Sequence, residues 1–123
     1  PEKLSIINSI IHPPTISKIE KLCEIELLKK DLVFAEAALI YEANMQGIFD
    51  YILVVTADEK SRIKRIVERD NSIEAKIKKR IANQIPEEIK ISRADFVICN
   101  DGTFTELESK VDLFLTIFKS LAK

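Results

Sequence analysis

The sequence predicts an α/β fold on a parallel sheet, from three observations. Apolar runs without polar alternation, Tyr51–Thr56 and Phe96–Cys99, read as buried strands. Segments with helical apolar spacing fill the intervals between the runs. Strand and helix alternate along the chain, the signature of parallel pairing with helical crossovers.

The elements follow in order. Leu4, Ile7, Ile11 and Ile10 predict a short amphipathic helix that ends at His12-Pro13, because the residue before a proline is pushed out of the helical region. Pro14 suits the first turn of a second helix. Ile16, Ile19, Leu22, Cys23, Leu27 and Leu28 carry it to Lys29-Lys30, cations suited to a helix C-terminus. Leu32-Val33-Phe34-Ala35 predicts a first strand, closed by Glu36. Tyr51–Thr56 predicts a strand covered on both faces, and Phe96–Cys99 one that ends in the turn Asn100-Asp101-Gly102. Thr56 with Glu59, and Thr103 with Glu106, have the spacing of capping boxes. Ile63, Ile66 and Val67 give one helix its inner face, and Ile73, Ile77, Ile81 and Ile85 the next. Leu107, Val111, Phe114, Phe118 and Leu121 form the core stripe of the last.

Composition narrows the function. The 123 residues, 46% hydrophobic with a net charge of -1, make one domain's worth of chain and read as one unit without repeats or linkers. No apolar run reaches the ~18 residues of a membrane span, so no membrane partner is expected. A dedicated nucleic-acid binder would be basic overall. Cys23 and Cys99 are too few and too far apart for a disulfide framework or zinc site, and read as small buried thiols of a reducing cytoplasm. With only Gly47 and Gly102, neither G-x-G-x-x-G nor G-x-x-x-x-G-K-[ST] occurs. The start at Pro1 rather than Met suggests a piece of something longer.

Charge is unevenly spread. From Lys60 to Arg93, eleven basic residues face five acids, so the rest of the chain is acidic. Arg62, Arg65 and Arg69, at i, i+3 and i+7, can share one helical face, a row of planar donors suited to phosphate oxygens or simply to solvent. His12, the only histidine, stands before a proline and reads as a helix-end or packing residue. Glu36 and Glu42 follow the first predicted strand, where ligands collect in parallel sheets; each is a candidate base, metal partner or helix cap.

Taken in order, these segments resemble dephospho-CoA kinases over essentially the whole chain. Pro1 through His12-Pro13 is similar to a family helix ending in His-Pro. Glu36–Glu42 resembles the segment D-x-P-L-L-F-E, with Glu36 for the aspartate and Ala38 for the proline. Phe49-Asp50, Arg65, Arg69-Asp70, Gln84 and Pro86-Glu87-Glu88 with Lys90 resemble the fourth strand and the lid. Ala94-Asp95-Phe96-Val97-Ile98, Asn100 and Gly102 resemble the ending A-D-x-V-I-x-N-x-G.

The resemblance implies a P-loop NTPase fold of the nucleoside-monophosphate-kinase kind, with the first strands, the P-loop and the magnesium-binding residues upstream of Pro1. It implies helices on the acceptor side over 1–31, core strands over 32–57, a lid over 58–93, and the last strand and helix over 94–123. The implied reaction moves the γ-phosphate of ATP to the ribose 3'-hydroxyl of dephospho-CoA in the cytoplasm, with ATP and Mg2+ as cofactors. Arg65 and Glu36 would be catalytic; Arg65, Arg69 and Asn100 would bind ATP; His12, Leu39 and Glu42 would bind the acceptor. The 123 residues alone are expected to be inactive and poorly stable. Two other readings stand beside this one: a kinase-like binding module without a P-loop, and a kinase for another nucleoside phosphate.

Overall fold

The computed structural model describes residues 2–122. Within the stretch read from sequence as one unit lie two compact groupings, Pro1–Phe49 with Leu113–Lys123, and Asp50–Asp112.

In the first grouping, α1 (Glu2–Leu27) is one 26-residue helix. The predicted break at His12-Pro13 does not occur, because Pro13 and Pro14 lie inside the helix. Each proline's fixed φ near −65° is helical, but each removes one N–H, leaving the Ser9 and Ile10 carbonyls without their helical donors, and each ring crowds the turn before it. The Thr15 hydroxyl donates to the Ile11 carbonyl at 2.8 Å, tying the turn across the prolines. No residue of α1 is buried. Leu4, Ile7, Ile10 and Ile11 of the predicted stripe are all exposed, and so is Ile6 beside it, so no covered apolar face sets the stripe apart.

The predicted strand Leu32–Ala35 is also absent: these residues have no regular secondary structure. A strand exists only through a partner's ladder, and the sheet of the described residues pairs other segments. Phe34 instead meets Phe118 edge-on, with ring centroids 5.6 Å apart. A turn over 38–44 follows, then a 3-10 turn Gln46–Ile48. Tyr41, Ala43, Met45 and Phe118 are the buried apolar residues here.

The second grouping holds the sheet. β1 (Leu53–Thr56) and β2 (Phe96–Cys99) pair in parallel, from Leu53 opposite Phe96 to Thr56 opposite Cys99. The strand predicted at Tyr51 begins two residues later, and it is not covered on both faces: Val55 is 58% exposed. β2 has the predicted bounds. Asp95 anchors the ladder's start, its carboxylate accepting from the Ile52 N–H at 2.8 Å while its own N–H donates to the Ile52 carbonyl.

Between the strands run α2 (Glu59–Asp70), α3 (Glu74–Ala82) and α4 (Glu87–Arg93), and α5 (Phe104–Leu121) follows β2. Asp58, not Thr56, caps α2: its carboxylate accepts from the Ser61 N–H. The box at Thr103 and Glu106 forms as predicted, with both reciprocal bonds, at 2.7 and 3.2 Å. Asn71 ends α2 in the left-handed region, φ 48°. The core here is Ile52, Ile63, Ile77 and Ile98. Ile77 is 1% exposed, whereas Ile73, four residues earlier, is 64% exposed and lies outside the core stripe predicted for it. Along α5, Phe118 is buried, Leu107 and Phe114 are half-buried, and Val111 and Leu121 are exposed, so the predicted stripe is only partly covered.

Candidate functional site

In a parallel sheet every strand ends at the same edge, and the loops leaving that edge hold ligands. Here those loops are Ala57-Asp58, entering α2, and Asn100–Thr103, entering α5. Asn100 is gripped on both sides of its backbone. Its N–H donates to the Thr56 carbonyl at 2.7 Å, extending the ladder by one residue. Its carbonyl accepts from Arg65 Nη2 at 3.0 Å.

Asp101, the next residue, bridges the two loops. Oδ1 accepts from the Asp58 N–H at 2.6 Å, and Oδ2 accepts from the Cys99 thiol at 2.9 Å. These bonds, the thiol's first, hold the Asp101 carboxyl below its ordinary range, and the charges of Arg65 and Lys110 act in the same direction. Lys110 Nζ donates to the Cys99 carbonyl at 2.7 Å, so α5 also ties down the end of β2. Neither cysteine is buried as predicted: Cys99 is exposed and Cys23 half-buried, and both are free thiols. A short thiol in an apolar run reads as core until the bond to Asp101 is seen.

The three arginines of α2 do not share one partner. Arg62 reaches Glu87 of α4 at 2.8 Å, and Arg65 reaches Asn100. Arg69 is held in a fork by its neighbour Asp70, Nε to Oδ1 at 2.6 Å and Nη2 to Oδ2 at 2.9 Å. That fork lowers the Asp70 carboxyl and raises Arg69, with the charge of Arg80 adding to the effect on Asp70.

The candidate acceptor residues lie in the first grouping. His12 is half-buried midway along α1. Glu36 is exposed in the irregular segment that replaces the predicted strand. Leu39 and Glu42 are both half-buried in the turn over 38–44. The turn is closed by Ala43 N–H to Leu39 at 2.9 Å and Met45 N–H to Ile40 at 2.8 Å, with Asn44 at φ 53°. It brings Leu39 and Glu42 onto one loop; Glu36 and His12 stand on other segments.

Among the described residues no three His, Cys, Asp or Glu side chains converge as a cation site requires. No helix among the described residues is long and apolar enough to cross a membrane. Sequence reasoning missed Asp101 and Lys110 as contributors, and had named Asp70 only beside Arg69 in the lid-like segment, without their ion pair. Asp101 showed only as a turn residue, and nothing in a one-dimensional pattern placed it opposite Asp58.

The parallel pair β1–β2 with its helical crossover, and an arginine of α2 reaching back to the end of β2, belong to an α/β fold like that of the P-loop kinases. The family model for dephospho-CoA kinase matches residues 1–106. The chain belongs to the dephospho-CoA kinase family. It is 35% identical to the dephospho-CoA kinase of Lactobacillus acidophilus over 97% of this chain and 60% of that one. With the Chlorobaculum tepidum dephospho-CoA kinase it shares 37% identity, over 91% of this chain and 54% of the relative. The crystal structure of TT1252 from Thermus thermophilus superposes with a TM-score of 0.75 at 29% identity, over 94% of this chain and 60% of that one. The chain thus spans a little over half the length of the curated relatives it matches.

Proposed function

We propose that the protein phosphorylates the ribose 3'-hydroxyl of dephospho-CoA with ATP, giving coenzyme A in the cytoplasm. The observation that carries this reading is the family match running through residues 1–106, which takes in the acceptor-side residues, the arginine-rich helices and Asn100. The fold sets Arg65 and Asn100 side by side at the strand ends. A guanidinium has five N–H donors, so the bond to Asn100 leaves Arg65 others for phosphate oxygens. Phosphoryl transfer depends mainly on positioning and on neutralising developing charge, the work assigned here to Arg65 and Arg69. Asn100 stands at the adenine end of ATP. His12, Leu39 and Glu42 receive the acceptor, and Glu36 is the acid proposed beside its hydroxyl. Magnesium held with the ATP phosphates would add to the charge neutralisation assigned to Arg65 and Arg69.

The test uses the protein at the full length of its relatives, with ATP and dephospho-CoA, and follows the product by mass. One added phosphate on dephospho-CoA is expected, with none on simple nucleoside monophosphates. The opposite preference, or no transfer to either, overturns the reading. Residues 1–123 alone, which contain no G-x-x-x-x-G-K-[ST] loop, are expected to transfer nothing.

A further inference from the structure

Asp101 connects the loop of Asn100, read above as the adenine-end residue, to the loop that starts α2, the helix of Arg65 and Arg69. Asp58, which donates its N–H to Asp101 Oδ1, is also the cap that starts α2 through its bond to Ser61. α2 carries Arg65, and Arg65 returns to the carbonyl of Asn100, the residue just before Asp101. The result is a closed circuit: Asp101 to Asp58, along the first turns of α2 to Arg65, and from Arg65 to Asn100. Within that circuit the Asp101 carboxylate has both oxygens engaged, the second by the Cys99 thiol. Lys110 closes the far side by holding the Cys99 carbonyl. Gly102, the residue after Asp101, leaves room for the Glu106 carboxylate of the adjoining capping box, which a side-chain carbon there would run into.

We infer that Asp101 is a positioning residue for nucleotide recognition: by accepting from the Asp58 N–H it fixes the Asn100 loop against the start of α2, and so sets the base preference of the site. Its two carboxylate oxygens are taken up by the Asp58 N–H and the Cys99 thiol. Its effect passes through Asn100, and the inference rests on the reading of Asn100 as the adenine-end residue. An acceptor oxygen at the distance of an aspartate is the requirement. A longer side chain carries the same charge but sets its oxygens one methylene too far along.

The experiment uses the full-length protein and measures KM for ATP, the preference for ATP over GTP, and KM for dephospho-CoA. Asp101→Ala and Asp101→Glu are each expected to raise KM for ATP about 10-fold and to cut the ATP-over-GTP preference by a similar factor, the scale of losing one or two hydrogen bonds. KM for dephospho-CoA stays unchanged. Asp101→Asn retains an oxygen for the Asp58 N–H and keeps both values within about 3-fold. Asp101→Glu is the safeguard if the alanine variant fails to fold. Asn100→Ala is run beside them. If Asn100→Ala loses the base preference while Asp101→Ala and Asp101→Glu keep it, the positioning role is overturned and the reading of Asn100 stands. If all three keep it, the reading of Asn100 falls and takes the inference with it. A loss that reaches KM for dephospho-CoA equally marks general unfolding and overturns the specific role.

Discussion

Ile77→Ala tests the packing of the arginine-rich helices. Ile77 is 1% exposed, the most buried large side chain among the described residues, and it lies on α3, which packs against α2. The substitution deletes three buried carbons, about 2.4 kcal/mol at ~0.8 kcal/mol for each. A residual cavity adds to this, and Leu/Ile→Ala changes in cores run from about 2 to 5 kcal/mol. The lower end applies here, because Ile73 on the preceding turn is 64% exposed and the site is open enough to relax. The expected loss is therefore about 2–3 kcal/mol, which moves a urea midpoint down by roughly 1–2 M at ordinary slopes. The assay is equilibrium urea unfolding of the full-length protein followed by circular dichroism, with Ile73→Ala as control. Ile73→Ala should stay within about 0.5 kcal/mol. An Ile77→Ala loss under 1 kcal/mol, or a control loss of equal size, refutes the assignment of Ile77 as the anchor of this helix pair.

The other predictions are brief. Thr103→Ala removes the hydroxyl half of the capping box and should cost about 1 kcal/mol, a fall in Tm of about 4 °C measured by calorimetry. Asp70, Asp101 and Glu106 are all held below their ordinary carboxyl values, so their contribution is complete above the unfolded carboxylate range near pH ~4 and disappears as pH falls through the lowered folded values. Urea midpoints should drop between pH 5 and 2, and less steeply in Asp101→Asn/Glu106→Gln; parallel curves would contradict this. In the protein at the full length of its relatives, Arg65→Ala and Arg69→Ala should each lower kcat/KM by roughly 10- to 1000-fold, read by steady-state kinetics, and unchanged values in both would return the α2 face to solvent. Removing Arg62 and Glu87 singly and together should give a coupling energy of about 1 kcal/mol in a double-mutant cycle on unfolding, since both side chains of the pair are partly covered.

Local features proved legible where the deciding partner is a few residues away. Phe96–Cys99 and the Thr103–Glu106 box were readable because branched residues and a four-residue spacing largely determine them. Thr56 with Glu59 had the same spacing, yet Asp58 took the cap: a carboxylate nearer the helix start reaches the Ser61 N–H directly. Pro13-Pro14 looked like a break because local penalties were weighed without the long helix on either side. Leu32–Ala35 has strand composition, but composition carries no information about a partner. The arginine spacing in α2 was legible as a pattern and its partners were not, since Asn100 lies 35 residues from Arg65.

The parallel register has a consequence for how the chain reaches this structure. Ile52 and Asp95, which start the ladder, are 43 residues apart, and every pair from Leu53–Phe96 to Thr56–Cys99 has the same separation. No short hairpin can seed such a sheet, because the loop must close before the first rung forms. α2, α3 and α4 make local contacts and shorten that span, so on refolding the helices precede the strands and the sheet completes the event. Asn100 joins the ladder only through its bond to Thr56, beyond the last rung. The Asn100 loop is thus expected to be among the last parts of this grouping to gain its shape, and among the first to lose it on unfolding.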